Sequence, residues 1–358
     1  MPETSVSPLF GLRRIVQPER TTAADSCPPG SGNVALQLDT SWLQRLDDFA
    51  EQFREDFQRR DQARWTAVYL QGLLLPVNER KTIGTMARHI VVPADLTVED
   101  VAQALQNFVN QSPWDEARVC KRLRGRFAAE FGDPSGVFVV DELAIPKQGR
   151  HSVGVHRQFS SVLGKKTNCQ VAIVLYYIAG SRIVPLSIRL YLPRNWQTGA
   201  PQAAVASVPE QFRLTRSKAT IALELLDEAR SDGFTGRFVV ACNRQWADRE
   251  FRASLTERQL SYVAEADPDQ PSEEVEYRDV SEQNVTWVSD QPFERLTLRA
   301  SDTKQEARRL GLSLLNEFGL NDFEGRSWRG FHHHACLVLL AYLFHSLEEK
   351  SPPSSIAL

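Results

Sequence analysis

Two short apolar runs constrain this chain more than any other feature: Gly136-Val-Phe-Val-Val-Asp141 and Arg237-Phe-Val-Val-Ala-Cys242. Both are rich in β-branched and aromatic residues, lack polar alternation and are too short for helices. Such runs read as buried strands. The first ends in a carboxylate, Asp141. A strand buried on both faces needs helices packed on either side of its sheet.

The flanking patterns supply those helices. Trp42, Leu43, Leu46, Phe49, Phe53 and Phe57 recur at three- and four-residue spacing, which predicts a helix through Phe57. Further helices are predicted over 62–75, 81–90, from a Thr97–Asp100 capping box through Val109, and over 115–131. Residues 169–178 and 183–192 are β-rich around Ala179-Gly180-Ser181, a hairpin signature. Helices over 217–231, 247–255, 304–318 and 329–347, and a strand over 261–264, complete the reading. The fold class is therefore α/β, a mixed sheet flanked by helices. An N-terminal helical domain over 40–133 precedes the sheet domain over 134–348. Residues 1–39, rich in Pro, Gly, Ser and Thr, and 349–358 read as tails.

Charge is segregated. From Leu143 to Pro209 there is no Asp or Glu in 67 residues, while eight are basic, among them Lys147, Arg150, Arg157, Lys165, Lys166, Arg189 and Arg194. Conversely, Glu265 to Glu294 holds ten acids and one basic residue, Arg278, and reads as an exposed acidic insertion. The net charge of −3 excludes a uniformly basic nucleic-acid binder but not a charge-segregated one. A carboxylate-free basic tract suits a phosphate backbone, because Lys and Arg displace its condensed counterions.

The longest apolar run, residues 335–344, is about half of what a bilayer needs, so no membrane role is expected. No secretory leader is evident. The five cysteines, Cys27, Cys120, Cys169, Cys242 and Cys336, are scattered with no CxxC pair, which fits free thiols in a reducing cytoplasm.

Specific motifs add a resemblance. Asp141-Glu-Leu-Ala-Ile-Pro-Lys-Gln-Gly149 leads into His151-Ser-Val-Gly-Val155, Arg157-Gln158-Phe159, Gly164-Lys165 and Asn168-Cys-Gln-Val171. Later come Arg189-Leu-Tyr-Leu-Pro193 and Gly319-Leu-Asn-Asp-Phe-Glu-Gly-Arg-Ser-Trp-Arg-Gly330, followed by His332, His333 and His334. The chain thus resembles bacterial insertion-sequence transposases with an RNase H-like DDE catalytic domain. The resemblance implies two Asp and one Glu holding paired Mg²⁺ or Mn²⁺ ions for phosphoryl transfer, since hard cations take oxygen ligands and two of them clamp the attacking and leaving oxygens. It implies DNA as partner; RNA and a protein partner stay open.

This sequence departs from that pattern. Asp141 fits the first position. Where the family has its second Asp, Val239-Val240-Ala241 is followed by Cys242, and a thiol is a soft ligand poorly suited to Mg²⁺. Family spacing counted back from Gly319 puts the catalytic Glu at Arg308 and a following Lys at Leu315. A guanidinium there opposes divalent cations. Asp248, Glu306 and Glu324 are the candidate substitute acids. Glu142 points to the opposite side of the strand from Asp141. The His triplet cannot converge on one ion, because consecutive helical residues diverge by about 100°. Arg326 and Arg329 join the candidate phosphate contacts, with Trp328 between them a candidate base-stacking platform.

Three functions follow. In the first, the chain is a catalytically degenerate member that binds nucleic acid without cutting it, needs no cofactor and serves as an accessory subunit of a nucleoprotein assembly. In the second, it is an active transposase cleaving and transferring DNA with Mg²⁺ or Mn²⁺ through Asp141 and substitute acids. In the third, it is a protein-interaction scaffold.

Overall fold

The computed structural model describes residues 40–76, 79–160, 163–197, 200–214, 216–243, 248–266, 275–278, 286–290 and 300–350. Among the described residues five helices come first: α1 (Thr40–Glu51), α2 (Arg60–Leu74), α3 (Ile83–His89), α4 (Val101–Asn110) and α5 (Glu116–Phe131). Side-chain caps fix three of their starts. Thr82 accepts from Thr85 N at 3.3 Å, Asp100 from Gln103 N at 3.0 Å and Asp115 from Ala117 N at 3.0 Å. The α4 cap is thus Asp100 rather than Thr97. The first helix also stops earlier than its apolar spacing predicts: a 3₁₀ turn at Arg54–Asp56 follows α1, and Phe53 and Phe57 are buried from outside it.

Among the described residues the sheet has eight strands: β1 (Val137–Pro146), β2 (His156–Ser160), β3 (Lys165–Ala179), β4 (Arg182–Tyr191), β5 (Phe238–Ala241), β6 (Ser261–Ala266), β7 (Val275–Arg278) and β8 (Thr286–Ser289). The order is β2-β3-β1-β5-β6-β8-β7, with β4 also pairing β3. The long β3 runs antiparallel to β1 along one edge and to β2 and β4 along the other. β1, β5 and β6 are mutually parallel and form the buried centre, as their apolar composition requires. Gly180 turns the β3–β4 hairpin with φ +60°.

Two findings differ from the sequence reading here. β2 is an additional strand, held by the first residues of β3. The acidic stretch is not simply an exposed loop: β8 pairs antiparallel with β6, β7 pairs with β8, and Trp287 is fully buried.

The remaining helices are α6 (Pro201–Val205), α7 (Glu210–Arg213), α8 (Lys218–Ser231), α9 (Arg249–Glu257), α10 (Ala300–Asn316) and α11 (Trp328–Lys350). α11 is apolar nearly all round, as a central helix must be. It packs against α2, α4, α5 and β4, so the N-terminal helices and the sheet share one core around it. Arg124 of α5 adds a buried polar tie, donating to Asp232 at 2.7 Å and Ser187 at 3.1 Å.

Candidate functional site

The parallel pairing of β1 and β5 places Val140 opposite Ala241, so the residues after them, Asp141 and Cys242, lie side by side. Cys242 N donates to Val140 O at 2.9 Å. α10 crosses this end of the sheet at close range: a Cβ at Gly311 would stand 2.9 Å from Tyr176 Oη. One turn earlier, Arg308 Nε lies 3.6 Å from Asp141 Oδ2. One turn before that, Lys304 is buried, with Nζ 2.7 Å from Glu265 Oε2 and 5.7 Å from the Trp287 ring centroid. Residues 304 and 308 share one helical face, with Lys304 paired to Glu265 and Arg308 beside Asp141.

Burial pushes the Asp141 carboxyl up to about 7, against the opposing pull of Arg308, the Glu142 backbone N–H and Lys304. Burial, reinforced by Asp141, holds the Cys242 thiol well above its ordinary range, so it is a protonated, inert thiol.

The substitute acids do not assemble here. Glu142 pairs with Lys218 at 2.6 Å. Asp248 caps α9, accepting from Phe251 N at 2.9 Å. Glu306 is exposed, two residues from both Lys304 and Arg308 and so on another face of α10. Glu324 lies 3.9 Å from Arg80 at a separate cleft. Among the described residues, no three His, Cys, Asp or Glu side chains converge as metal ligands.

The basic candidates divide sharply. Lys147 is engaged elsewhere: it is half-buried and donates to Phe323 O at 2.7 Å, and desolvation lowers its amine to about 8. Arg189 is spent on Glu224 at 3.2 Å and Glu228 at 2.7 Å. Arg329 reaches Gln111 O at 3.4 Å. By contrast, Arg150, Arg157 and Arg326 are exposed, have no acid partner among the described residues and line one cleft of about 960 Å³. Arg194, Lys165 and Lys166 are likewise exposed and without acid partners among the described residues. Lys166 stands two residues before Asn168 on β3, whose cross-strand partner is Arg157, so all three occupy the same sheet face.

The His triplet is structural. His332 Nδ1 donates to Trp328 O at 3.0 Å and its Nε2 accepts from Leu190 N at 3.4 Å. His333 lies between Val109 O at 3.0 Å and Trp114 O at 2.9 Å. His334 donates from Nε2 to Gly319 O at 3.0 Å, leaving Nδ1 to accept from Tyr69 Oη at 2.9 Å. Burial lowers the three rings to about 3, 4 and 3, and a neutral His333 can donate to only one of its two carbonyls. Trp328 is no stacking platform: it is buried against Phe212, with centroids 4.9 Å apart. Sequence reasoning missed Lys304, although its i−4 spacing from Arg308 was a usable signal.

The sheet order, the side-by-side placement of Asp141 and Cys242 and the helix crossing them agree with a comparison of sequences: the family described as DDE superfamily endonuclease matches residues 52–275. The chain belongs to that family. It is also 28% identical over 189 residues to "Probable transposase for insertion sequence element IS701" of Microchaete diplosiphon, covering 52% of this chain and 44% of that protein. The chain thus matches less than half the length of that relative. Its sheet is the RNase H-like sheet expected of a DDE protein. Among the described residues, no helix is long and apolar enough to cross a membrane.

DDE proteins ordinarily use Mg²⁺, and the donor set here does not fit that ion. Two carboxylates, Asp141 and Glu265, each already facing a cation, and a protonated thiol leave few hard oxygens free for it.

Proposed function

We propose that this DDE-family chain holds nucleic acid without cutting it, as a DNA-binding component of a larger nucleoprotein assembly. The observation that carries the reading is Arg308 beside Asp141 at 3.6 Å, with Lys304 behind it. The Arg308 guanidinium stands against Asp141 where the chemistry needs divalent ions, so Coulomb repulsion disfavours metal there. The binding half of the reading rests on Arg150, Arg157 and Arg326 around one cleft that Glu324 also lines, with Lys165, Lys166 and Arg194 in the same acid-free tract as Arg150 and Arg157. Unpaired surface arginines suit phosphates because their planar forks donate bidentately. The chain's free thiols suit a reducing cytoplasm.

The test has two arms. Supercoiled plasmid is incubated with Mg²⁺ or Mn²⁺ and either wild type or Asp141→Ala; the same background nicking is expected from both. Metal-dependent nicking that Asp141→Ala abolishes would establish the active-transposase reading instead. A labelled duplex and a labelled single strand are titrated in parallel; retention of at least one, weakening with salt, is expected. Absence of any binding would favour a protein-interaction scaffold.

A further inference from the structure

The cleft contains more than a phosphate contact requires. Its floor is apolar, built from the buried side chains of Val155, Trp196 and Ala206. Val205 projects from the wall with 87% of its surface exposed. The exposed imidazoles of His151 and His156 stand at the rim beside the arginines. Asn168 and Asn195 present side-chain amides that have no hydrogen-bond partner among the described residues.

The walls are also tied in place. Val153 N donates to Arg326 O at 3.1 Å, Trp328 N to Ala206 O at 2.9 Å and Lys147 N to Asn168 O at 2.9 Å. Trp196 Nε1 donates to Val155 O at 2.9 Å. Gly154 takes φ +73° where a Cβ would press on Tyr191 O at 3.1 Å, so this loop is shaped for its position. The cavity is therefore pre-formed.

A duplex has little use for such a cavity. Its bases are stacked and paired inside, and a protein meets mainly phosphate and sugar unless an element enters a groove. An unpaired strand exposes base faces, base edges and phosphates together. Base faces seek aromatic or guanidinium planes and apolar surface, and base edges seek amides. The cleft offers all three within one volume of about 960 Å³.

We propose that this cleft is a binding site for unpaired DNA, with Arg150, Arg157 and Arg326 on the phosphates and Asn168 and Asn195 on base edges. The proposal deepens the nucleic-acid reading above and rests on it.

Fluorescence anisotropy with a labelled mixed-sequence oligodeoxynucleotide, free or annealed to its complement, tests it on the full chain. The single strand should bind at least tenfold more tightly than the duplex. Val205→Glu is the discriminating variant, since the side chain it replaces lies outside the core. It should cost the single strand at least fivefold and the duplex less, because the added charge repels any phosphate but only unpaired bases also lose the apolar wall. Arg157→Glu should weaken the single strand tenfold or more, and a bromouracil-substituted strand should photocross-link to peptides spanning 150–157 or 324–328.

Duplex binding as tight as single-strand binding, or an unaffected Val205→Glu, would overturn the single-strand assignment while leaving nucleic-acid binding intact. Tighter binding of the matching RNA strand would overturn the DNA assignment. Failure of every nucleic acid to bind would remove the underlying reading itself.

Discussion

Arg308 and Asp141 face each other across the gap between α10 and β1, the guanidinium Nε 3.6 Å from the carboxylate Oδ2. Cys242 is the immediate neighbour of Asp141 on the parallel strand. If these two substitutions are what excludes metal, reversing both should readmit it. The Cys242→Asp, Arg308→Glu double variant should show Mn²⁺-dependent thermal stabilisation and saturable Mn²⁺ binding by calorimetry, whereas wild type shows neither. Arg308→Glu alone, without metal, should lose stability, because it sets a second carboxylate beside a buried one. Equal Mn²⁺ titrations for wild type and double variant would mean that the block lies elsewhere.

Stability should fall with rising pH in a window set by Asp141. Burial lifts its carboxyl from 3.8 to about 7. Between those values the folded chain holds a proton that the unfolded chain has released, so raising pH through the window costs folding free energy. The stabilisation is complete below 3.8 and gone above about 7. Asp141→Asn should abolish this contribution. In urea unfolding the variant should gain on wild type between about pH 4 and pH 7, by a few kcal/mol at most. Parallel pH profiles would show that Asp141 does not titrate in that window.

Arg124 ties α5 to the sheet layer through Asp232 at 2.7 Å, with side-chain exposures of only 7% and 5%. Arg124→Ala leaves an unpaired buried carboxylate and should cost about 3–5 kcal/mol in chemical denaturation. Replacing the pair together, as Arg124→Met with Asp232→Leu, should recover most of that loss, because neither charge is then stranded. A small effect from the single variant would mean that the pair is solvated in solution.

The three cleft arginines predict a salt signature. Each of Arg150→Ala, Arg157→Ala and Arg326→Ala should reduce the slope of log affinity against log salt by about 0.7–0.9 for a phosphate contact. Lys147→Ala and Arg189→Ala should leave that slope unchanged, since Lys147 is held by Phe323 O and Arg189 by Glu224 and Glu228. Equal slopes for all five variants would show that phosphates lie outside the cleft.

Period and charge made much of this molecule legible. The runs ending at Asp141 and Cys242 announced buried strands, and the missing carboxylates of 143–209 announced a basic tract. Less visible were features decided by distant partners. β8 has four residues within an acidic stretch, and it is a strand because β6 offers an edge and Trp287 fills a core site. Lys147 and Arg189 look like phosphate ligands in one dimension. Only the fold brings up the carbonyl and the two glutamates that occupy them. The cleft was illegible for the same reason, since Asn168, Asn195, Val205 and Arg326 are remote in sequence and converge only through the loops between strands and helices.

His333 offers a separate check on the His triplet as architecture. Its ring stacks on Trp114 with centroids 3.7 Å apart and lies between the carbonyls of Val109 and Trp114. It thereby fixes the end of α4 and the following loop against α11. His333→Ala removes the stacked ring and strands buried carbonyl groups, which should cost about 2–4 kcal/mol in urea unfolding. His333→Phe keeps the stack but not the hydrogen bonding, so it should lose about 1–3 kcal/mol. A chelator should leave the melting temperature of wild type unchanged, and Ni²⁺ or Zn²⁺ should not raise it, because the three rings diverge and their nitrogens are already engaged by protein atoms. A metal-dependent rise in melting temperature that His333→Ala abolishes would make the triplet a ligand set instead.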